Sequence, residues 1–135
     1  IAKKVIEEFM APKLKLFPKA SFNPNVRPYH RFKKTSEEEW SKLIAQDRRY
    51  ARMVCRCESV TEGEIRDMLA RSCPPHTVKG VKKRSRAGFG RCQGGFCGPN
   101  VVAILADHYK IKLTEVPYDE PGTNIVKGAT KEVGE

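Results

Sequence analysis

Cys55-Arg56-Cys57 and Cys92-Gln93-Gly94-Gly95-Phe96-Cys97 hold four of the five cysteines of this 135-residue chain. One residue separates the first pair, four separate the second, and 34 lie between the pairs. Tight pairs at both ends of a helix-sized insert read as one metal centre closed by four thiolates. A disulfide scaffold fits worse: the cysteine count is odd, and a C-x-C spacing sets two sulfurs too close for independent bridges. Reduced, intracellular thiols are the expectation.

Four thiolates can hold Zn²⁺ tetrahedrally or a [2Fe–2S] cluster. Zinc knuckles usually use C-x₂-C pairs, whose two intervening residues turn both sulfurs onto one ion. The C-x-C and C-x₄-C spacings here splay the sulfurs more widely, as a two-iron cluster asks. A cluster with four thiolates is anionic and gains a further negative charge on reduction. Arginines such as Arg56 and Arg91, with the N–H groups of Gln93, Gly94, Gly95 and Gly98, would favour that reduced form. Zinc remains an alternative or adventitious occupant.

Outward from the cysteines, the chain reads as a small, mainly α domain with its ligands on loops at helix ends. Thr61 and Glu64 form a capping box, with Val60 and Ile65 as its hydrophobic staple, and open a helix that buries Ile65, Met68 and Leu69. Cys73-Pro74-Pro75 stops that helix, Thr77 caps the next one, and Gly88 is expected to terminate it in the left-handed region. Gly98-Pro99 opens a helix with Val101, Val102, Leu105 and Tyr109 on one face, so Cys97 sits at a helix N-terminus where negative charge is favoured. Upstream, Thr35 and Glu38 predict a capping box for a helix bearing Trp40, Leu43 and Ile44, and Tyr50 to Val54 is expected to be extended. Ile111 to Val116 predicts one short further element.

Before this domain, Val5, Ile6 and Phe9 stand at helical spacing, and Pro12 is expected to end their helix. Residues 12–34 carry four prolines interleaved with Phe17, Phe22, Tyr29 and Phe32, which predicts an extended linker lying on a protein surface. The expected division is therefore a helix over 1–11, a linker over 12–34, the metal-binding domain over 35–118 and a tail over 119–135. The helix at 1–11, opening on Ile1, reads as the end of a domain that precedes this segment in a longer chain.

The net charge is +10, and no acidic residue lies between Asp67 and Asp107, an interval with seven lysines and arginines. Such a block serves nucleic acid, a buried anion or an acidic redox partner. Nucleic acid fits worst, because Phe89 is the sole good stacking candidate within the block. No run of about 18 apolar residues is present to span a membrane. The location expected is cytoplasmic, free or peripheral to the inner face of the cytoplasmic membrane.

The run Arg86-Ala87-Gly88-Phe89-Gly90-Arg91 leading into the second cysteine pair closely resembles the bacterioferritin-associated-ferredoxin-like (BFD-like) [2Fe–2S] domain. The version it resembles is fused to the C-terminus of anaerobic-type, FAD-dependent glycerol-3-phosphate dehydrogenases. The likeness also takes in Ile44-Ala45-Gln46-Asp47, Tyr50, Cys57-Glu58-Ser59-Val60-Thr61-Glu62-Gly63-Glu64, the linker and the opening helix. It implies Cys55, Cys57, Cys92 and Cys97 as cluster ligands and an FAD domain upstream. It further implies electron relay from reduced flavin to another redox subunit or acceptor, and no substrate site in this segment. Related fusions that oxidise opines and other amines leave the parent's substrate open. Cys73, His30, His76 and His108 match no ligand position, and Cys73 reads as a half-buried free thiol.

Overall fold

The computed structural model describes residues 1–131; residues 132–135 of the expected tail lie outside the described residues. The architecture is mainly helical, with one two-stranded antiparallel ribbon. Helix α3 (Glu37–Gln46) leads through a 3₁₀ turn (Arg48–Ala51) into strand β1 (Met53–Cys55), which pairs with β2 (Val60–Thr61). Helices α4 (Glu62–Leu69), α5 (Val78–Ser85) and α6 (Gly98–Tyr109) then pack against one another around a single core. Ile65, Met68, Val81, Val101 and Leu105 fill it, with Val54 and Val60 from the ribbon and Val116 from beyond α6. Arg66 of α4 adds a polar tie to α6, reaching Glu62 at 3.1 Å and Asp107 at 2.7 Å.

Several starts and stops follow local chemistry. The Thr61 capping box forms, with the Glu64 carboxylate accepting from the Thr61 N–H at 2.7 Å. Thr77 caps α5 by accepting from the Gly80 N–H at 2.9 Å, and α6 opens at Gly98-Pro99 with Cys97 as its N-cap. A 3₁₀ turn over Leu113–Glu115 supplies the short element expected after Ile111.

Four local expectations are corrected. Helix α3 is capped by Ser36, not Thr35, because the Thr35 hydroxyl is taken up by the Arg31 carbonyl at 2.9 Å. Tyr50 lies in the 3₁₀ turn, not in extended chain, with its buried ring edge-on to Trp40 at 5.5 Å. The left-handed C-cap of α5 is Arg86 (φ 73°), and Gly88 takes positive φ two residues later. Pro12 does not end the first helix. α-Helix α1 (Ala2–Lys4) widens into a π segment (Val5–Met10), continues as α2 (Ala11–Leu14) and stops at the left-handed Lys15. Pro12 follows the π segment directly, so its missing N–H falls where the helix changes hydrogen-bond register.

The linker divides in two. Phe17, Phe22 and Val26 are exposed and pack on nothing among the described residues. From Arg27 onward the chain is strapped to α4. Arg71 stacks over the Tyr29 ring at 3.6 Å and donates to the carbonyls of Arg27 and Pro28 at 2.8 and 2.9 Å. Arg27 pairs with Asp67, and Phe32 meets Trp40 edge-on at 5.1 Å. At the other end, residues 117–124 turn back on themselves through the Tyr118 N–H to Thr123 carbonyl bond at 3.0 Å, and Val126 packs on the core. Among the described residues, no helix is long and apolar enough to cross a membrane.

Candidate metal centre

The first cysteine pair is placed by the ribbon. Cys55 ends β1 opposite Val60 and is buried with 1% exposure. The chain turns at once, with Ser59 in the left-handed region and its N–H on the Arg56 carbonyl at 3.3 Å. Two residues after Cys55, the turn therefore carries Cys57 to the exposed rim. The C-x-C spacing thus yields one inner and one outer thiol.

The second pair is placed by a loop between α5 and α6. Arg86 starts it, its guanidinium bonded to Glu58 of the ribbon turn at 2.9 Å and its N–H to the Lys82 carbonyl at 2.9 Å. Successive turns close through Gln93 N–H to Gly90 O at 2.9 Å, Gly95 N–H to Cys92 O at 2.9 Å and Gly98 N–H to Gly94 O at 2.7 Å. Gln93 (φ 49°) and Gly94 (φ 92°) are both left-handed, a tight reversal for which glycine has no steric penalty at the second position. Gly90 is required for another reason. A Cβ there would lie 2.2 Å from the Cys57 Cβ, so the two cysteine loops touch at this point.

All four cysteines of the two pairs line one open pocket of about 210 Å³, together with Arg56 and Phe96. They meet as one member of each loop. Cys57 and Cys92 are exposed, with their sulfurs 3.8 Å apart, and Cys55 lies beside Cys97, both 1% exposed. The two pairs stand around the pocket without closing on a point. Among the described residues no three His, Cys, Asp or Glu side chains gather closely enough to hold a single ion.

The thiols differ in electrostatics. Backbone N–H groups of Phe96 and Gly94 aim at the Cys92 sulfur and hold its pKa below the ordinary thiol value. Burial pushes the Cys97 thiol up to about 11, and the neighbouring Cys55 adds to the rise. Without a cation beside it, Cys97 therefore stays protonated at neutral pH. A coordinated metal removes that proton outright. The donor set of four thiols lining one pocket, two of them anchored in the core, thus fits a soft, thiophilic group larger than a single ion.

The surrounding residues divide by what they touch. Gly94 presents its N–H to the Cys92 sulfur, whereas Gly95 and Gly98 spend theirs on loop carbonyls. The Gln93 side chain holds the loop, donating to the Phe89 and Gly90 carbonyls at 3.2 and 3.0 Å. Arg56 lies over the Phe96 ring at 5.6 Å, and Arg91 is exposed beside Cys92. Two contributors were missed in the sequence: the Phe96 N–H, and the Glu58–Arg86 pair that braces one cysteine loop on the other. Neither leaves a signal in spacing. Cys73 lies outside the pocket and is exposed, not half-buried. His76 and His108 both pack on Tyr109, and His30 lies by Arg84 and Met68.

Comparison with known proteins agrees with this geometry. A glycerol 3-phosphate dehydrogenase from Caloramator mitchellensis is 45% identical over 117 residues, 87% of this chain and 24% of the relative. An opine oxidase subunit from Rhizobium meliloti is 37% identical over 67 residues, 49% of this chain and 14% of the relative. An anaerobic glycerol-3-phosphate dehydrogenase subunit from Haloferax volcanii is 34% identical over 68 residues, 50% of this chain and 11% of the relative. The chain thus spans about a quarter or less of the length of these relatives. No solved structure matches it significantly. Residues 53–107 match the family described as BFD-like [2Fe-2S] binding domain.

Proposed function

We propose that this chain is the electron-transfer segment of an FAD-dependent glycerol-3-phosphate dehydrogenase. In this reading Cys55, Cys57, Cys92 and Cys97 ligate a [2Fe–2S] cluster that relays electrons from reduced flavin to a further redox subunit or acceptor. The observation that carries it is the meeting of four thiols from two loops around one pocket, half sunk in the core and half at the surface. The domain matched over residues 53–107 and the 45%-identical dehydrogenase support the same assignment. The proposed division is a closing helix of the FAD domain, expected over 1–11 and carried on to Leu14 in the structure, a linker from there to 34, the cluster domain over 35–118 and a tail over 119–135.

A bound [2Fe–2S] cluster supplies reversible one-electron storage. The chain's own residues shape how that storage works. Cys97 precedes the N-terminus of α6, where the helix dipole favours negative charge. The Phe96 and Gly94 N–H groups do the same at the Cys92 sulfur. Val54, Val101 and the rest of the core exclude water from the inner side, while the exposed Cys57 and Cys92 leave one edge within reach of a partner.

In the whole dehydrogenase, anaerobic addition of glycerol 3-phosphate should bleach the visible absorbance of the iron–sulfur chromophore along with that of the flavin. Flavin bleaching with an unchanged iron–sulfur spectrum would overturn the relay. Reduction by an opine and not by glycerol 3-phosphate would move the parent to the second class of relatives.

A further inference from the structure

The rim around the outer thiols has a composition that holding a cluster does not require. Phe96 is 61% exposed on one side of the pocket, with the Arg56 guanidinium 5.6 Å from its ring centre. Phe89, one residue before Gly90, is 44% exposed and flanked by Lys82 at 4.8 Å and Arg86 at 5.4 Å. Gly90 is pressed against Cys57, and Arg91 stands exposed next to Cys92. The loop around the outer thiols thus carries two exposed aromatic rings, each under a cation: Phe96 in the pocket wall and Phe89 next to Gly90. Two large exposed rings beside a redox site leave apolar surface in water with no return in folding, a mark of an interaction surface.

Charge says what kind of partner fits. Of the seven cations in the acid-free interval, Arg71, Lys79 and Arg86 pair with Asp67, Asp119 and Glu58. The other four, Lys82, Lys83, Arg84 and Arg91, have no acidic partner among the described residues, and neither has Arg56; of these, Arg56, Lys82 and Arg91 border the outer thiols or the Phe89 ring. Unspent cations interleaved with exposed aromatics match the composition of a binding hot spot for an acidic, partly apolar protein face. A second copy of this chain would bring like charge to like. We propose that the face formed by Arg56, Lys82, Phe89, Arg91 and Phe96 docks an acidic electron-carrier protein against the Cys57–Cys92 edge. This rests on the electron-transfer reading above.

The test uses the iron–sulfur-loaded chain, its loading read from the visible spectrum and its cluster reduced beforehand with dithionite and freed of excess reductant, with an acidic flavodoxin and a basic cytochrome c as electron-accepting probes. The second-order rate to the flavodoxin should fall about tenfold or more as salt rises from about 0.02 to about 0.3 M. The rate to the cytochrome c should rise or stay level. Arg56→Glu and Lys82→Glu should each flatten the flavodoxin salt slope, while Lys42→Glu on α3 should leave it unchanged. The slope is the readout because an altered potential shifts the rate at every salt concentration alike. A loaded chain whose flavodoxin rate ignores salt, or whose slope survives both variants, would overturn the docking face and leave the cluster assignment standing. Tighter binding of a DNA duplex than of the flavodoxin, lost in the same variants, would reassign the face to nucleic acid and overturn the proposal. A chain that takes up no iron and sulfide would overturn the electron-transfer reading and this proposal with it.

Discussion

Cys55 and Cys97 are sealed in the core, whereas Cys57 and Cys92 stand in solvent, although each loop supplies one of each kind. The inner pair is held by regular structure: Cys55 ends a strand and Cys97 caps a helix. The outer pair is held by turns, a left-handed Ser59 on one side and a left-handed Gln93-Gly94 on the other. The contrast separates two tasks that a redox site must combine. Burial anchors the site and keeps water from its inner face, and exposure gives electrons a short exit. A symmetric, wholly buried set of four thiols would anchor equally well and exchange electrons poorly.

Serine substitution should separate the inner thiols from the outer ones most strongly. Cys97→Ser and Cys92→Ser should both abolish the iron–sulfur chromophore, since each removes a proposed ligand. They should differ without metal. Cys97→Ser buries a hydroxyl with no designed partner and should cost the apo chain about 1–3 kcal/mol, whereas exposed Cys92→Ser should stay within about 0.5 kcal/mol. Denaturant melts of the apo variants check this, and equal costs would erase the inner–outer distinction. A step smaller, Gly90→Ala forces a Cβ into the Cys57 side chain and should cost about 1–3 kcal/mol with reduced cluster loading. Gly98→Ala meets nothing within 4 Å and should leave loading intact, as paired melts and iron assays would report.

The smallest effect is a pH dependence of the apo chain. Cys97 is raised when folded, so the unfolded chain releases that proton first. Stability should therefore decline as pH rises from 9.0 toward about 11. Tyr50 and Tyr109, also raised by burial, push the same way. Cys92 works in the opposite sense: its lowered pKa stabilises the folded chain above the ordinary thiol range, and this is lost as pH falls through its folded value. Urea melts across this range should show a shallower alkaline decline in Cys97→Ala, and an unaltered decline would place the effect elsewhere.

The sequence made the cluster domain more legible than its approaches. The Thr61 capping box, the Thr77 cap and the Gly98-Pro99 start are short-range signals, and each forms where the residues predict. The misplaced features depend on distant partners. Thr35 loses the capping role to Ser36 because Arg31 claims its hydroxyl. Arg86 takes a left-handed φ that spacing assigns to Gly88, and its side chain spans Glu58 and the Phe89 ring. The four cysteines were visible as a set, but their pairing across the loops was not, because spacing fixes neighbours in sequence only. The outer face of Phe89 and Phe96 was equally hidden, since an exposed ring and a buried ring read alike in sequence.

The most direct measurement is elemental analysis of the anaerobically reconstituted chain and of its Cys73→Ser and Cys92→Ser variants. Iron and acid-labile sulfide at about two each per chain, kept in Cys73→Ser and lost in Cys92→Ser, is the result expected for a [2Fe–2S] centre on Cys55, Cys57, Cys92 and Cys97. A colourless chain holding one zinc under the same conditions, or a chromophore lost with Cys73 and kept without Cys92, would contradict it.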